Sequence, residues 1–188
     1  MTTAPGTIEL AETAERGSHC GCSDLFGTLF VVPCSQQKSR FLKNGAMPAK
    51  TAYQGQAFQA CRRILEREKL KWCVLSAHYG FIWPTTMIEW YDVKMEPVTE
   101  ETCWDECFGF ITNRQYARLM TSERIVVLGS RLYADAASVL LKRPVEAPVA
   151  GLPIGYMVQR LHSGAWLKVP NAPHELPATG DSREPKTL

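Results

Sequence analysis

The sequence predicts an α/β fold: a single domain built as a three-layer sandwich around a mainly parallel central sheet. Short apolar, β-rich runs occupy residues 29–32, 72–75 and 125–128. Each run ends in small and polar residues: PCSQQK at 33–38, SAHYG at 76–80 and GSRLY at 129–133. A helical pattern follows each, and strand, polar turn and helix in that order make a βα unit. Repeated βα units predict a parallel sheet covered on both faces.

The elements follow in order. Leu29, Phe30, Val31 and Val32 form a continuous apolar run, as expected of a strand buried on both faces. Residues 39–53 read as a long polar loop carrying Gly45 and Pro48. Ala57, Phe58, Cys61, Ile64 and Leu65 then recur at helical spacing, with Arg62, Arg63 and Arg67 on the other face. The second strand leads to another long loop over 81–99. Trp104, Cys107, Phe108, Ile111 and Leu119 mark the next helix. The third strand feeds a helix with Ala136, Ala137, Val139 and Leu140 inward, and Val145 begins a short fourth strand before Pro148. Residues 151–166 read as a loop and a last helix, with Ile154, Met157, Val158 and Leu161 on one face. Residues 1–27 predict an N-terminal arm, 28–169 the core domain, and the proline-rich residues 170–188 a disordered tail.

The composition narrows the function classes. At 188 residues one domain with a substantial core is expected. The net charge is 21 − 19 = +2, which gives no global electrostatic case for nucleic acid but leaves room for a local basic patch. No apolar run reaches the ~18 residues of a membrane-spanning helix, and the first residues lack the pattern of a signal peptide. Seven cysteines, most within apolar or helical patterns, predict reduced thiols in a cytoplasmic protein.

In an open parallel sheet, ligands bind outside the carboxyl ends of the strands. The three strand ends are therefore expected to converge on one cleft. At the first, backbone N–H groups and Ser35 would hold a phosphate or a base edge, with Cys34 beside them and Lys38 as the cation. Alternatively Cys34 packs, and Ser35 and Gln36 only make the turn; the spaced glycines of a Walker loop are missing. At the second, Ser76, His78 and Tyr79 precede Gly80, which suits a left-handed or tight backbone position. His78 is a candidate acid/base and Tyr79 a stacking surface, although a lone turn histidine is commonly a surface residue. The third, with Gly129, Ser130 and Arg131, reads as an anion site at a helix N-terminus or simply as a capped turn. Between the last two, Glu89, Trp90, Tyr91 and Asp92 put two carboxylates beside two aromatics. That combination suits water activation and base stacking, or a strand edge with Trp90 over the core. A Ser-His-Asp triad of Ser35 or Ser76, His78 and Asp92 lacks the G-x-S-x-G elbow. His19, Cys20 and Cys22, even with Cys103 and Cys107, do not make a well-spaced metal site. Neither a metal nor another cofactor is expected.

The ordered set Cys34-Ser35-x-x-Lys38, Leu75-Ser76-Ala77-x-x-Gly80 and Tyr91-Asp92 resembles an uncharacterised domain family related to YaaA, the peroxide-stress protein; the stretch from Gly151 to Gly155 also fits. The resemblance covers roughly residues 28–165 on the α/β pattern. It implies a compact α/β fold, similar to the uracil-DNA-glycosylase-like domain of archaeal archaeosine-forming enzymes, and a link to nucleic-acid modification, repair or DNA binding. Cys34-Ser35 stands where uracil-DNA glycosylases carry their water-activating Asp, so the carboxylate here would be Asp92 or Glu89.

The leading expectation is a DNA glycosylase for a modified or damaged base, acting in repair or anti-phage defence after base flipping. Asp92 or Glu89 would stabilise the sugar cation and orient water, while His78 or Lys38 assists the departing base. Tyr79, Trp83, Trp90 or Tyr91 would stack on it, and Ser35, Ser130 and Arg131 would hold flanking phosphates. The alternatives are a non-catalytic DNA-binding module using Arg62, Arg63, Arg67, Lys69 and Lys71, and an N-glycosidase or transferase for free nucleotides. DNA and a modified base are the expected partners, and no membrane is involved.

Overall fold

A computed structural model describes residues 27–99 and 107–168. All but Gly27 of the predicted arm, the predicted tail and Trp104 lie outside those residues. The main sheet has four strands: β1 (Thr28–Pro33), β3 (Trp72–Ser76), β4 (Gly80–Ile82) and β6 (Arg124–Val127), in the order β4-β3-β1-β6. β1 runs parallel to both β3 and β6, and only the edge strand β4 is antiparallel. The mainly parallel sheet expected from the apolar runs is therefore present.

Side chains along β1 alternate between two cores. Phe30 and Val32 enter one, with Phe58, Cys61, Ile64 and Leu65 of α2 (Gln56–Arg67) and Met157 and Leu161 of α5 (Ile154–Ser163). Leu29 and Val31 enter the other, with Leu119 of α3 (Asn113–Thr121) and Ala134, Ala136, Ala137, Leu140 and Leu141 of α4 (Arg131–Leu141). This explains why β1 reads as a continuous apolar run: both faces are removed from water. Each fully buried Val, Leu or Phe contributes about 1.5–3 kcal/mol by transfer from water.

The helix expected around residues 104–119 is interrupted. α3 begins only after Thr112, whose hydroxyl accepts from Gln115 N–H while the Gln115 side chain accepts from Thr112 N–H. That capping box fixes a helix start, while Phe108 and Ile111 pack on the core from the preceding turn. In α4, Ser138 is buried and Val139 only half-buried. The serine hydroxyl satisfies itself by donating to the Arg143 carbonyl at 2.9 Å, which makes its burial tolerable. The fourth strand expected at Val145 is reduced to one parallel bridge between Val126 and Glu146. A two-pronged ion pair from Arg124 to Glu146, at 2.8 and 2.7 Å, holds that segment against β6.

The two long loops are more ordered than their polarity suggests. Residues 39–53 contain a 3₁₀ turn (Arg40–Asn44), β2 (Met47–Pro48) and α1 (Ala49–Ala52). β2 pairs antiparallel with β5 (Met87–Ile88), tying the first loop to the second. Gly80 opens β4 with φ +64, and a Cβ there would overlap the backbone of Cys107. Only glycine combines that left-handed conformation with such close approach.

Gly80→Ala is therefore expected to destabilise the protein by about 2 kcal/mol or more, from strain and overlap together. For a chain of this length that lowers Tm by about 4–8 °C, read by thermal denaturation.

Candidate functional site

The chain leaves β1 toward β3 on one side and later returns to place β6 on the other. The helices that follow these two strands, α2 and α4, pack on opposite faces. This is the topological switch point of an open α/β sheet, where the diverging connections leave a crevice. A cavity of about 430 Å³ lies there, a volume suited to a small organic ligand. Its floor is the ends of β1 and β6: Val32, Pro33, Cys34 and Ser35 from one, Leu128, Gly129 and Ser130 from the other. Gly129 is buried against Pro33, and a Cβ in its place would overlap that ring, so the two strand ends can close the floor only with glycine.

Three helices of ten or more residues present their first turns to this cavity: α2 through Gly55, Gln56 and Ala57, α4 through Ser130, and α5 through Ile154. None of the three has a side-chain cap. Their first N–H groups and positive dipole ends thus border one space, an environment that favours negative charge. Ser130 occupies the N-cap position of α4 without making the capping bond that the simple-turn reading requires. The walls are apolar, from Phe58, Met157 and Val158, and the polar side chains of the lining are Cys34, Ser35, Gln56, Ser130 and Tyr133. Cys34 Sγ and Tyr133 Oη share a 3.2 Å hydrogen bond. Ser35 Oγ accepts from Gly55 N–H at 3.0 Å and donates to the Gln37 carbonyl at 2.5 Å, fastening the end of β1 to the start of α2.

A second group surrounds the end of β3. Ser76 is buried and accepts from the N–H groups of His78 and Tyr79, at 3.2 and 3.1 Å. With both lone pairs used, its own proton serves Tyr91 Oη at 2.9 Å, leaving the Tyr91 proton for Tyr53 Oη at 2.8 Å. Tyr79 Oη in turn accepts from Glu89 N–H at 3.0 Å. His78 is exposed and stacks on Tyr91, with ring centres 5.0 Å apart. Lys38 Nζ stands 4.0 Å from the centre of the Tyr91 ring. Partial burial draws the Lys38 ammonium below the usual lysine range, opposed by Cys34 and Asp92, which favour its charged form. Burial and nearby Cys34 push Tyr91 and Tyr133 well above the tyrosine range; Tyr53 is raised chiefly by burial. Cys34 thus belongs to both groups, lining the cavity and influencing Lys38 and Tyr91.

Of the residues singled out in the sequence, Cys34, Ser35, Gly129 and Ser130 line the cavity, and Lys38, Ser76, His78, Tyr79 and Tyr91 form the adjoining network. Glu89, Trp90 and Asp92 are exposed beside that network, and Arg131 is exposed at the start of α4; none of the four lines the cavity. Trp83 packs on the α3–α4 core instead, because β4 turns its end to that face. The two strand ends of β1 and β6 meet directly, and the third reaches them through Tyr91, Lys38 and Cys34. His19, Cys20, Cys22 and Cys103 lie outside the described residues, among which no cluster of three or more metal-ligating side chains occurs. On α2, Arg62 pairs with Glu66 and donates to the Lys50 carbonyl, and Arg67 pairs with Glu68. Tyr53, Gln56 and Tyr133 were not legible as site residues. Tyr133 alone had a signal, since a residue just inside a helix directs its side chain back toward the N-terminus.

Residues 29–163 match a family of unknown function (DUF6884), and the chain belongs to that family. The matched span contains every residue that lines the cavity. The chain is similar to the uncharacterized protein YfjM of Bacillus subtilis (strain 168), at 27% identity over 141 residues that cover 71% of this chain and 92% of YfjM. No solved structure matches it.

Two buried tyrosines and the half-buried Tyr133 set an alkaline limit. Unfolded, Tyr53, Tyr91 and Tyr133 lose their protons near pH 10.0; folded, they keep them to higher pH. Their contribution is complete below pH 10.0 and declines above it, so stability falls as pH rises through that range. A phenolate-absorbance titration is expected to show these three ionising late, together with unfolding, and Tyr91→Phe to remove one of them.

Proposed function

We propose that this protein binds a nucleotide unit of DNA at the switch-point cavity and hydrolyses the N-glycosidic bond of a modified or damaged base. The observation that carries the reading is the cavity itself, apolar-walled and bordered by three uncapped helix N-termini. Apolar walls suit a base lifted out of its stack. Helix N-termini suit the negative charge that grows on the base as the bond to C1′ breaks.

In this scheme the bonding electron pair leaves with the base, and water bonds to C1′. The proton released by water is taken up by a carboxylate, and the base receives one from the protein. Asp92, or Glu89, orients the water and stabilises the cationic sugar. Both are exposed, so the sugar lies at the rim beside Lys38 rather than deep in the cavity. Lys38, drawn below the usual lysine range, gives up a proton more readily than an exposed lysine, and His78 is the other donor. Tyr79 and Tyr91 fix the rim. The proposal extends to a three-layer sandwich, supported by cores on both faces of the sheet, and to a cytoplasmic role in repair or defence against modified phage DNA. No helix among the described residues is long and apolar enough to cross a membrane.

One observation favours a second reading, a non-catalytic DNA-binding module: the polar lining consists of thiol, hydroxyl and amide groups, with both candidate carboxylates outside it.

Mass spectrometry of bases released from DNA carrying natural, damaged and hypermodified bases tests the proposal. One free base and an abasic product are expected, with Asp92→Asn slowing release by about a hundredfold or more at unchanged binding. Binding without release from any of these DNAs would leave the second reading.

A further inference from the structure

Beside the cavity rim stands a cluster of which the glycosidic chemistry uses only Lys38. Phe41 and Trp90 are large apolar side chains that are 58% and 44% exposed. Each carries a cation: Arg40 lies 4.9 Å from the Phe41 ring centre, and Lys43 lies 4.8 Å from that of Trp90. Lys38 reaches Trp90 as well, at 5.8 Å. Arg40, Phe41 and Lys43 come from the 3₁₀ turn, Trp90 from the segment after β5, and the β2–β5 pairing brings the two segments together. Ser39 starts the turn by accepting from Phe41 N–H at 3.3 Å. Thus two exposed rings and three cations are assembled from separate parts of the chain on an ordered support.

We propose that this surface is a stacking platform for single-stranded DNA, holding nucleotides that flank the one in the cavity. Exposed aromatic faces accept bases whatever their identity, and cations beside the rings are placed to meet the phosphates between them. An apolar partner would leave Arg40 and Lys43 facing a surface that offers them no charge. Glu89 and Asp92 flank Trp90 in sequence, and Asp92 acts on Lys38; among the described residues Arg40 and Lys43 form no ion pair, so they are placed as cations toward a polyanion. The platform adjoins the rim through Lys38, which is influenced by Cys34 of the cavity lining. The inference rests on the reading of the cavity as a nucleotide site and names its substrate class: a base within a strand, not a free nucleotide.

The test is fluorescence anisotropy of a labelled single-stranded DNA oligonucleotide at two salt concentrations, with the full-length chain. Binding is expected to weaken with salt, the logarithmic slope approaching about −2 for three phosphate contacts. Trp90→Ala and Phe41→Ala should each weaken it by about tenfold, and Lys43→Glu should also flatten the slope. Circular dichroism confirms that the variants are folded, which their exposure makes the expected outcome. Unchanged affinity in the folded Trp90→Ala/Phe41→Ala double variant overturns the platform, as does failure of the wild-type protein to bind the strand. Base release from a free nucleotide, assayed in parallel, separates the two ideas: release without strand binding removes the platform and keeps the cavity chemistry, whereas strand binding lost through the double variant without any release keeps the platform alone.

Discussion

Because β1 is paired on both edges and buried on both faces, the chain that leaves it and the chain that arrives beside it must depart in opposite directions. α2 goes to one side of the sheet and α4 to the other. The gap between their first turns cannot be filled by either helix, and it becomes the cavity. The pairing of β1 with β6 therefore determines more than stability. It brings Cys34 and Ser35 beside Gly129 and Ser130, and it turns the helix N-termini to a common point. Gly129 lets the strand ends approach, Ser35 ties β1 to α2 through Gly55, and the Arg124–Glu146 pair supports the outer edge of β6.

A second constraint organises the rim. A serine at the end of a buried strand must satisfy its hydroxyl inside the fold, and Ser76 does so with two backbone N–H groups and Tyr91. Tyr91 in turn requires Tyr53, which comes from the first long loop. One hydrogen-bonded chain thereby joins β3, the loop before α2 and the segment after β5. Such a network is rigid because breaking any member strands a buried polar group. That rigidity is what places Lys38 over the Tyr91 ring and sets Trp90 beside the 3₁₀ turn.

The parallel strands were legible because burial on both faces leaves continuous apolar runs. Gly80 was legible as a special backbone position, and the ends of β1 and β6 as the edge on which a cavity opens. β4 was not, since a three-residue antiparallel edge strand directly after a tight turn carries no period of its own. β2 and β5, two residues each, exist only through their pairing with one another. Tyr53 sits in a polar stretch, and its burial follows from tertiary packing alone. Ile154 was expected on one face of the last helix with Met157 and Leu161, but they are buried and it is 70% exposed at the cavity lip. Periodicity identified the helix correctly and could not say that its first turn borders an opening rather than the core. The charge reading had a similar limit: a net charge of +2 conceals the local grouping of Arg40, Lys43 and Lys38 around exposed rings.

The central claim is that the crevice between β1 and β6 is where the ligand sits. Backbone amide chemical-shift mapping by NMR, during titration with a deoxynucleoside 5′-monophosphate, tests it most directly. The account predicts that the largest shifts fall on Ser35, Gln56, Ser130 and Ile154, from four separate parts of the chain that come together at the cavity. Shifts centred instead on Arg118 and Ser122, which line a smaller cavity at the opposite end of the strands, or no shifts at a large excess of nucleotide, would contradict it.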